Sequence, residues 1–433
     1  MALTAAEQYM LEMINRARLD PAAEARRFGI DLNEGLAAGT ISGAAKQVLA
    51  PNALLETAAT RHVQWMFDTD TVSHYGAGGS TWFQRAENVG YRPTWIGEDI
   101  AWQGTTGPVN LASYVEPQHQ GLFLSASHRA VMMASNAREI GLVQETGQLA
   151  INGVNYNSSL INQLYGLSGT AKFVTGVVYD DTNGDGFYSM GEGKSGAVFT
   201  VGQTTGTAQD AGGYAVAVAS SLASSRTEVT GTSGGLTFHV LVDLGPGNAK
   251  LDLINGDMLA TSASMTLVDG IRQAQLLGVA NLKLTGNDAG NVLTGNSGAN
   301  VLDGLKGNDR LYGKLGADNL NGGNGADRLE GGYGADTLAG GTGADLMIGG
   351  PGSDRFIFRD GFGSDRIADF TAGSDRLQLG HGNWSGALSA EQVVSRFAHV
   401  TSAGVSFDFD ATDHLLLVGL TSTAGLAAAI DII

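Results

Sequence analysis

Apolar residues follow different spacings in different parts of the chain. Between residues 7 and 18 they recur every three to four positions, and the same period returns between residues 52 and 66. That spacing predicts amphipathic helices. Three later runs, at 173–179, 197–201 and 212–218, are rich in valine, alanine, threonine and aromatic residues and predict β-strands. The chain therefore changes from a part that contains helices to a β-rich part near residue 170.

A strict nine-residue period occupies residues 286–357 and comprises eight units. Each unit opens with glycine, and its eighth position holds Leu, Met or Phe. Glycine accepts the positive φ angles of a tight turn, and the bulky eighth side chain indicates a short strand that faces a core. A flexible glycine-rich linker would not keep a bulky residue in such a frame. The sixth positions are Asn291, Asn300, Asp309, Asp318, Asp327, Asp336, Asp345 and Asp354.

The array resembles the RTX nonapeptide repeat, and the resemblance implies a calcium-binding parallel β-roll. One nonapeptide then makes half a coil, so residues 18 positions apart stack on the same edge. Stacked carboxylates repel one another unless a hard cation lies between them, and calcium is therefore expected to be part of the fold. Sites that use the neutral Asn291 and Asn300 are expected to be weak or empty. The two predicted rows are Asp309, Asp327 and Asp345 on one edge, and Asp318, Asp336 and Asp354 on the other.

Composition and charge exclude some classes of binding partner and favour others. The 433 residues suggest several domains, and 43 acidic against 25 basic residues give a net charge of -18. Such a charge repels phosphate backbones and anionic lipids and favours divalent cations. No stretch is apolar enough to span a membrane. The absence of cysteine excludes disulfides, thiolate zinc sites and a cysteine nucleophile.

A second calcium site is predicted at residues 181–192, which match the calcium-loop pattern D-x-[DN]-x-[DN]-G-x5-E. The flanking runs are β-rich, which excludes a helix-loop-helix EF-hand. The region resembles small calcium-stapled β-sandwich modules of bacterial surface proteins, and the resemblance implies a structural role. The expected ligands are the side chains of Asp181, Asn183, Asp185 and Glu192 and the backbone carbonyl of Phe187.

Residues 7–145 resemble the CAP superfamily in its bacterial, disulfide-free form. The resemblance implies an α-β-α sandwich with a cleft over the sheet. The segments that carry the likeness are Leu11-Glu12-Met13-Ile14-Asn15-Arg16-Ala17-Arg18-Leu19-Asp20-Pro21, Ala58-Ala59-Thr60-Arg61-His62, Ser73-His74-Tyr75-Gly76, Gly97-Glu98-Asp99-Ile100-Ala101 and Ser125-Ala126-Ser127-His128-Arg129.

In this family the cleft carries a His/Glu constellation that can hold a divalent metal. The matching positions are His74 and Glu98, with His128 as a third candidate. Two imidazoles and a carboxylate are a plausible zinc set with an open position for water. The match is incomplete, because Ser125 stands where animal and fungal members have a second glutamate and the strand around Thr175 lacks their second histidine. His74 and Glu98 can instead form a structural hydrogen bond, and His128 can orient its helix.

The sequence gives less support for a functional role of the other ionisable residues of this region. His62 lies on an apolar helical face and is expected to be a packed, hydrogen-bonded core histidine. Glu116 and His119 have no motif that supports them. Two functions remain open: a binding protein whose cleft takes an extracellular peptide, lipid or polysaccharide, and a metal-dependent hydrolase that uses His74, Glu98 and a metal-bound water.

The two ends of the chain predict how it leaves the cell. The N-terminal residues lack the basic and apolar regions of a secretory signal. The C-terminal residues from Asp413 onward resemble the uncleaved signal of type I secretion substrates, so an exporter of that type and an extracellular location are expected.

The fold class is multidomain, with an α-β-α sandwich at 1–175, an all-β sandwich module at 176–285, a parallel β-roll at 286–357, and a β-roll cap with the secretion signal at 358–433.

Overall fold

The computed structural model describes residues 2–222, 226–245 and 247–433. The chain forms two compact units, of which the first comprises Met1–Thr237 and Asp243–Gly256, and the second comprises Phe238–Val242 and Asp257–Ile433. The four-part division above stays a prediction.

The first part of the first unit is a sheet with helices on both faces. Strands β3 and β2 pair antiparallel with the two sides of β4, and β1 pairs parallel with β3, which gives the order β1-β3-β4-β2. The elements are α1 (Ala5–Leu19), α2 (Pro21–Arg27), β1 (Ala50–Pro51), α3 (Ala53–Asp68), α4 (Trp82–Asn88), β2 (Trp95–Thr105), α5 (Ala112–Leu124), α6 (Ala126–Met132), β3 (Glu139–Ile151) and β4 (Val154–Leu167).

Alternating residues of β4 place one apolar core on each face of this sheet. Ile161 and Tyr165 pack with α1, α5 and α6, whereas Leu160 and Leu164 pack with α3 and α4. Because successive strand residues point to opposite faces, a strand buried on both sides needs helices on both sides. The predicted α-β-α sandwich is confirmed.

The remainder of the first unit is an all-β module. Strand β5 (Lys172–Tyr179) pairs antiparallel with β8 (Gly213–Val218) and parallel with β11 (Ala249–Ile254). Strand β6 (Val198–Val201) pairs antiparallel with β7 (Thr204–Thr207) and β9 (Arg226–Ser233). Strand β10 (Leu236–Asp243) belongs mostly to the second unit, which includes Phe238–Val242. The rings of Phe199 on β6 and Tyr214 on β8 stack 3.8 Å apart and join the two sheets of the sandwich.

Buried polar contacts hold this module against the α-β-α sandwich. Lys250 on β11 lies 2.8 Å from Glu12 on α1, and both side chains are buried. The Asn248 amide nitrogen donates to the carbonyl oxygens of Val48 and Arg138 at 3.0 and 2.8 Å. The sandwich and the module therefore belong to one compact unit.

The second unit is a parallel β-solenoid with two ladders, and the predicted β-roll is confirmed. Even-numbered strands β12–β24 form one ladder and odd-numbered strands β13–β25 the other, with pairs such as Leu311 and Leu329 in register. The bulky eighth residues from Leu293 to Phe356 are fully buried between the ladders. The strands are β12 (Met258–Thr261), β13 (Ser264–Asp269), β14 (Gln273–Leu276), β15 (Lys283–Thr285), β16 (Val292–Thr294), β17 (Val301–Asp303), β18 (Arg310–Leu315), β19 (Asn319–Gly325), β20 (Arg328–Tyr333), β21 (Thr337–Gly343), β22 (Leu346–Ile348), β23 (Arg355–Phe358), β24 (Ser364–Ile367) and β25 (Arg376–Leu379).

The C-terminal residues add one parallel strand to each ladder. Strand β28 (His414–Val418) pairs parallel with β24, and β29 (Ile430–Ile432) pairs parallel with β25. Helix α7 (Ala390–Phe397) and strands β26 (Ala398–Val400) and β27 (Gly404–Asp408) complete this end. Among the helices in the described part of the chain, none is long and apolar enough to cross a membrane.

Candidate functional site

The sixth-position aspartates form two rows along the solenoid. In one row the backbone amide of Asp309 donates to Asp327 Oδ1 at 2.7 Å, and that of Asp327 donates to Asp345 Oδ1 at 2.8 Å. The other row repeats the pattern with Asp318, Asp336 and Asp354 at 2.7 and 3.0 Å. Each carboxylate therefore ties its own turn to the turn that precedes it by 18 residues.

The second oxygen of each of these carboxylates is buried and has no hydrogen-bond partner. A methyl group built on Gly304 would lie 2.4 Å from Asp309 Oδ2 and 2.5 Å from the carbonyl oxygen of Gly322. Two oxygens from consecutive turns of one edge therefore meet beside a glycine that leaves the space clear. Calcium takes oxygen ligands at about 2.3–2.6 Å, so this donor set fits the ion.

The raised pKa values of the sixth-position aspartates indicate that these carboxylates need a cation. Burial raises the pKa of Asp309 to about 7, and the charge of Asp327 adds to the effect. Burial likewise raises the pKa of Asp318, Asp345 and Asp354 to about 6. A carboxylate whose charged form is destabilised by burial regains stability when a cation replaces the lost water.

Both rows continue beyond the nine-residue frame. The amide of Asp345 donates to Asp365 Oδ1 at 3.0 Å, and that of Asp354 donates to Asp375 Oδ1 at 3.2 Å. These spacings are 20 and 21 residues instead of 18, so a fixed period does not find them. The signal in the sequence was the G-S-D triplet at 363–365 and again at 373–375, which also occurs inside the last unit at 352–354.

The predicted loop at 181–192 is a compact turn. Asp181 accepts hydrogen bonds from the amides of Gly184 and Gly186 at 2.9 and 3.0 Å, and both glycines have a φ of 73°. Asn183 and Asp185 are exposed on this turn. Glu192 is 5% exposed and accepts from the amide of Ser189 at 2.8 Å.

Phe187 of this loop contacts the first helix of the sandwich. Its ring lies 4.7 Å from the guanidinium of Arg16 and 6.2 Å from the ring of Tyr9. Its backbone carbonyl is the predicted ligand, while its side chain fixes the loop against α1.

The structure brings His74, Glu98 and His128 together at β2, the edge strand of the sheet. Glu98 lies in the middle of β2, His74 in the loop after α3, and His128 on α6. His74 Nδ1 is 2.9 Å from Glu98 Oε2, and the rings of His74 and His128 are 6.2 Å apart. The CAP resemblance predicted this convergence.

Two further residues bind Glu98 and were not among the predicted site residues. Arg85 on α4 donates to Glu98 Oε1 at 2.5 Å and also to the carbonyl of His74 at 3.0 Å. Asn162 on β4 donates to the same carboxylate oxygen at 2.9 Å. Arg85 is buried and carries a charge opposite to that of Glu98, but nothing local in the sequence links residues 85, 98 and 162.

These contacts set the charge of the cluster. Burial alone would raise the pKa of Glu98, but the His74 hydrogen bond and the charge of Arg85 outweigh it, so the pKa lies below its ordinary value. Burial, with a smaller contribution from His74, lowers the pKa of His128. The cluster therefore offers an ionised carboxylate, a neutral His128 and the Nε2 atom of His74, which is not bonded to Glu98.

The other ionisable residues have partners elsewhere in the same domain. His62 is buried and its Nε2 donates to the Ser73 carbonyl at 2.8 Å, as expected for a core histidine. His119 is buried against Glu24 at 2.9 Å, and Glu116 accepts from the Tyr9 hydroxyl at 2.5 Å.

Comparisons with known proteins agree with the two folds. The family described as the cysteine-rich secretory protein family, CAP, matches residues 11–148, although the chain has no cysteine. The RTX calcium-binding nonapeptide repeat matches residues 285–320 and 321–356. No curated protein matches the chain.

Three solved structures are similar to parts of this chain. An outer surface protein from Borrelia burgdorferi is 19% identical over 28% of this chain and 78% of its own, with a TM-score of 0.21. A subunit of the Azotobacter vinelandii mannuronan C5-epimerase is 29% identical over 34% and 78%, also with a TM-score of 0.21. An extracellular lipase from Serratia marcescens is 14% identical over 38% and 45%, with a TM-score of 0.19.

Residues 11–148 are therefore a CAP domain, and residues 285–356 are RTX calcium-binding repeats folded as a parallel β-solenoid.

Proposed function

We propose that this is an extracellular calcium-binding protein whose solenoid folds on calcium after export, and whose CAP domain binds a peptide, lipid or polysaccharide at the cleft of His74, Glu98 and His128. The observation that carries the calcium part is the row of buried carboxylate oxygens without partners beside glycine carbonyls. RTX repeats and CAP domains are both typical of secreted proteins, which supports the location.

Calcium supplies the attraction that the solenoid lacks without it. Its strands in the repeats are three to seven residues long, and each coil buries one large side chain per strand. Stacked buried carboxylates oppose that burial until a cation neutralises them. Millimolar calcium suits weak extracellular sites, so the chain is expected to fold after it has left the cell.

Circular dichroism of the full chain with millimolar calcium and with excess chelator tests this proposal. We expect β-structure to appear on calcium addition and to be lost on chelation. Magnesium at equal concentration is the control, because it keeps its water and demands a tighter geometry. A spectrum that is the same in chelator and in calcium would contradict the proposal.

We extend the proposal to the loop at 181–192, which binds one calcium ion as a structural staple. Three side chains and the Phe187 carbonyl provide oxygens around a tight turn, and Glu192 lies beside them. Asp185→Asn should lower the calcium affinity of this loop while the circular dichroism of the solenoid keeps its calcium response. The matched control is Asp210→Asn, an exposed aspartate of another turn in the same module.

A type I exporter is the proposed route out of the cell, with the signal in the residues from Asp413 onward. Low cytoplasmic calcium would keep the chain unfolded until export. Deletion of residues 413–433 should retain the protein inside cells that carry such an exporter, whereas deletion of residues 1–6 should not. Equal amounts outside the cells for both deletions would refute this route.

A metal-dependent hydrolase that uses His74, Glu98 and a metal-bound water is the alternative function of the cleft. The free Nε2 of His74 and the ring of His128 support a two-imidazole site, with Glu98 orienting His74 in the way carboxylates orient metal-bound histidines. Glu98 itself would have to release Arg85 or Asn162 to bind a metal directly. The fit to zinc is thus incomplete.

Zinc titration of the calcium-saturated full chain tests this alternative. Binding through imidazoles should weaken at acidic pH, because a protonated ring cannot ligate. His74→Ala and Glu98→Gln should both reduce the affinity, and His119→Gln is the control at a buried histidine with another partner. Equal weak binding in all variants would leave His74 and Glu98 a structural role only.

A further inference from the structure

A cavity of about 170 Å³ lies between helices α3 and α4 of the CAP domain. Its walls come from these helices and from the loop that joins them. The described residues that line it do not include His74, Glu98 or His128, so the cavity is separate from the cleft. Liquid water takes about 30 Å³ per molecule, and sites for drug-sized ligands measure about 300–1,000 Å³. The cavity therefore has the size for one small ring.

His62 contributes a buried hydrogen-bond acceptor to this cavity. The residue is 1% exposed, and its Nε2 donates to the Ser73 carbonyl at 2.8 Å. Burial, followed by the charge of Arg85, lowers the pKa of His62, so the ring is neutral near pH 7. A neutral ring that donates through Nε2 carries a lone pair on Nδ1. Among the described residues this buried Nδ1 has no hydrogen-bond partner.

Arg85 contributes a buried hydrogen-bond donor. Its Nη1 donates to the carbonyls of His74 and Ser80 at 3.0 and 2.8 Å, and its Nη2 donates to Glu98. These bonds fix the guanidinium, while its buried Nε has no partner in the described part of the chain. A buried donor without an acceptor is costly, so it indicates a place for a ligand group or water.

The polar atoms of three lining residues lie close together at one end of the cavity. A methyl group built on Gly76 would lie 3.1 Å from His62 Nδ1, 3.0 Å from Ser80 Oγ and 3.4 Å from Arg85 Nη1. The unpaired acceptor and the unpaired donor are therefore neighbours, and one ligand can reach both.

Apolar side chains form another part of the wall. Ala58 and Val89 line the cavity together with the half-buried indole of Trp65. The indole stacks on His62, with ring centroids 5.5 Å apart and an interplanar angle of 8°. Arg61 lies at the exposed rim, and none of the described lining residues is acidic. The cavity thus combines an aromatic wall with a few buried polar atoms, as ligand sites commonly do.

We propose that this cavity binds one neutral hexose unit of a saccharide. A hydroxyl group both donates and accepts hydrogen bonds, so neighbouring hydroxyl groups of one sugar can donate to His62 Nδ1 and accept from Arg85 Nε. The apolar C–H face of the sugar ring packs against Trp65 and Val89.

A carboxylate ligand fits the same cavity less well. It would accept a hydrogen bond from Arg85, and Arg61 would attract it. It has no proton to give to His62 Nδ1, however, which would stay buried and unpaired. A neutral ligand also avoids repulsion by a chain whose net charge is -18. The hexose site goes beyond the proposed function, because it needs neither the cleft residues nor calcium in the solenoid.

Isothermal titration calorimetry of the calcium-saturated full chain with glucose, galactose and mannose tests this site. We expect at least one of these sugars to bind once per chain, with a Kd of millimolar order because so small a ligand makes few contacts. Tryptophan fluorescence should change in the same titration, and Trp65→Phe should remove that change.

Two variants locate the sugar in the cavity. His62→Gln keeps an N–H donor for the Ser73 carbonyl but removes the Nδ1 acceptor, so the Kd should rise about tenfold. Ala77→Phe places a ring at the exposed rim and should abolish binding. Ala38→Phe, at an exposed alanine of another loop in the same domain, is the matched control and should bind like the wild type. Circular dichroism should show that the variants fold; if His62→Gln does not, Ala77→Phe and its control still decide.

Loss of hexose binding in Ala77→Phe but not in Ala38→Phe supports the site. Hexose binding that persists in Ala77→Phe would place the sugar elsewhere and overturn the proposal. Binding of acetate without binding of any hexose would make the cavity an anion site and would also overturn it. If none of the three hexoses binds at about 50 mM, far above a Kd of millimolar order, water alone fills the cavity and the hexose site is wrong.

Discussion

At the scale of single residues, each aspartate of the solenoid uses its two oxygens differently. In Asp327, Oδ1 accepts the amide of Asp309, while Oδ2 has no partner and faces the space left by Gly322. One oxygen therefore secures the backbone of the neighbouring turn, and the other remains for calcium. Asn300 lacks the charge, and its Oδ1 accepts an amide within its own turn, that of Asn296.

Asp327→Ala should weaken calcium-dependent folding more than Asn300→Ala. The first change removes a ligand from a position between two sites and leaves the buried amide of Asp309 without an acceptor, which by itself costs about 1–3 kcal/mol. The second removes a weak, uncharged ligand together with the hydrogen bonds of Asn300 to Asn296 and Ala280, but no carboxylate. Calcium titrations followed by circular dichroism should show the midpoint displaced upward for Asp327→Ala and nearly unchanged for Asn300→Ala. Equal displacement would contradict the assignment of strong and weak sites.

Arg85 is the residue on which the buried charge of Glu98 depends. Arg85→Met would leave that carboxylate in the core with His74 and Asn162 only. Removing one partner of a buried ion pair costs about 3–5 kcal/mol, because the remaining charge is uncompensated. Urea unfolding in saturating calcium should show this loss, and the double variant Arg85→Met/Glu98→Gln should recover part of it. A loss below about 1 kcal/mol would show that solvent reaches Glu98.

At the scale of elements, helix α1 contacts both the sheet of its own domain and the β module. One side packs into the apolar core with β3 and β4, and Glu12 reaches Lys250 on β11 of the β module. Lys250 also pairs with Asp252, so one buried ammonium balances two buried carboxylates. The attraction of those two carboxylates raises the pKa of Lys250 although burial alone would lower it.

Lys250→Met should therefore destabilise the whole first unit. It leaves Glu12 and Asp252 buried and unbalanced, with an expected loss of about 3–5 kcal/mol. Lys194→Met is the control, because Lys194 pairs with Asp180 at the surface, where such pairs contribute about 0–1 kcal/mol. Chemical unfolding of the full chain should show the two parts of the first unit losing stability together. Loss confined to the β module would mean that α1 does not couple them.

At the scale of the whole molecule, whose net charge is -18, protons and calcium compete for the same buried carboxylates of the solenoid. The folded solenoid raises the pKa of Asp309 to about 7 and of Asp365 to about 8 through burial, compared with an ordinary value near 3.8. The folded state therefore holds more protons than the unfolded state between the ordinary and the raised values. Stability without calcium should fall as the pH rises through that window.

Circular dichroism in chelator at several pH values checks this dependence, because the β-structure that chelation removes near neutral pH should return toward pH 4. The calcium-free solenoid should be most stable near pH 4 and should lose stability as the pH rises from there to about 8. Saturating calcium should remove or reverse the trend, since it occupies the oxygens that protons would otherwise hold. A calcium-free solenoid that is more stable at pH 8 than at pH 5 would exclude these aspartates as the controlling groups.

The local pattern of residues was enough to predict the structure of the repeat region. A glycine turn and a bulky eighth side chain recur every nine residues, so the strand positions, the buried row from Leu293 to Phe356 and the two rows of aspartates all follow from spacing. Each of these features depends on residues close in the chain or on one fixed offset of 18. Such order is local, and a regular spacing of residue types is sufficient to predict it.

Only the tertiary structure decided which distant residues share a site. Glu98 meets its partners because β2, α4, β4 and the loop of His74 pack together, and Glu12 meets Lys250 although the two lie far apart in the sequence. Asp365 joined its row because a turn two residues longer than a repeat still kept the register of the ladder. The burial and pairing of residues from different elements depend on the packing free energy of the whole fold. No periodicity in the sequence predicts which distant residues will meet.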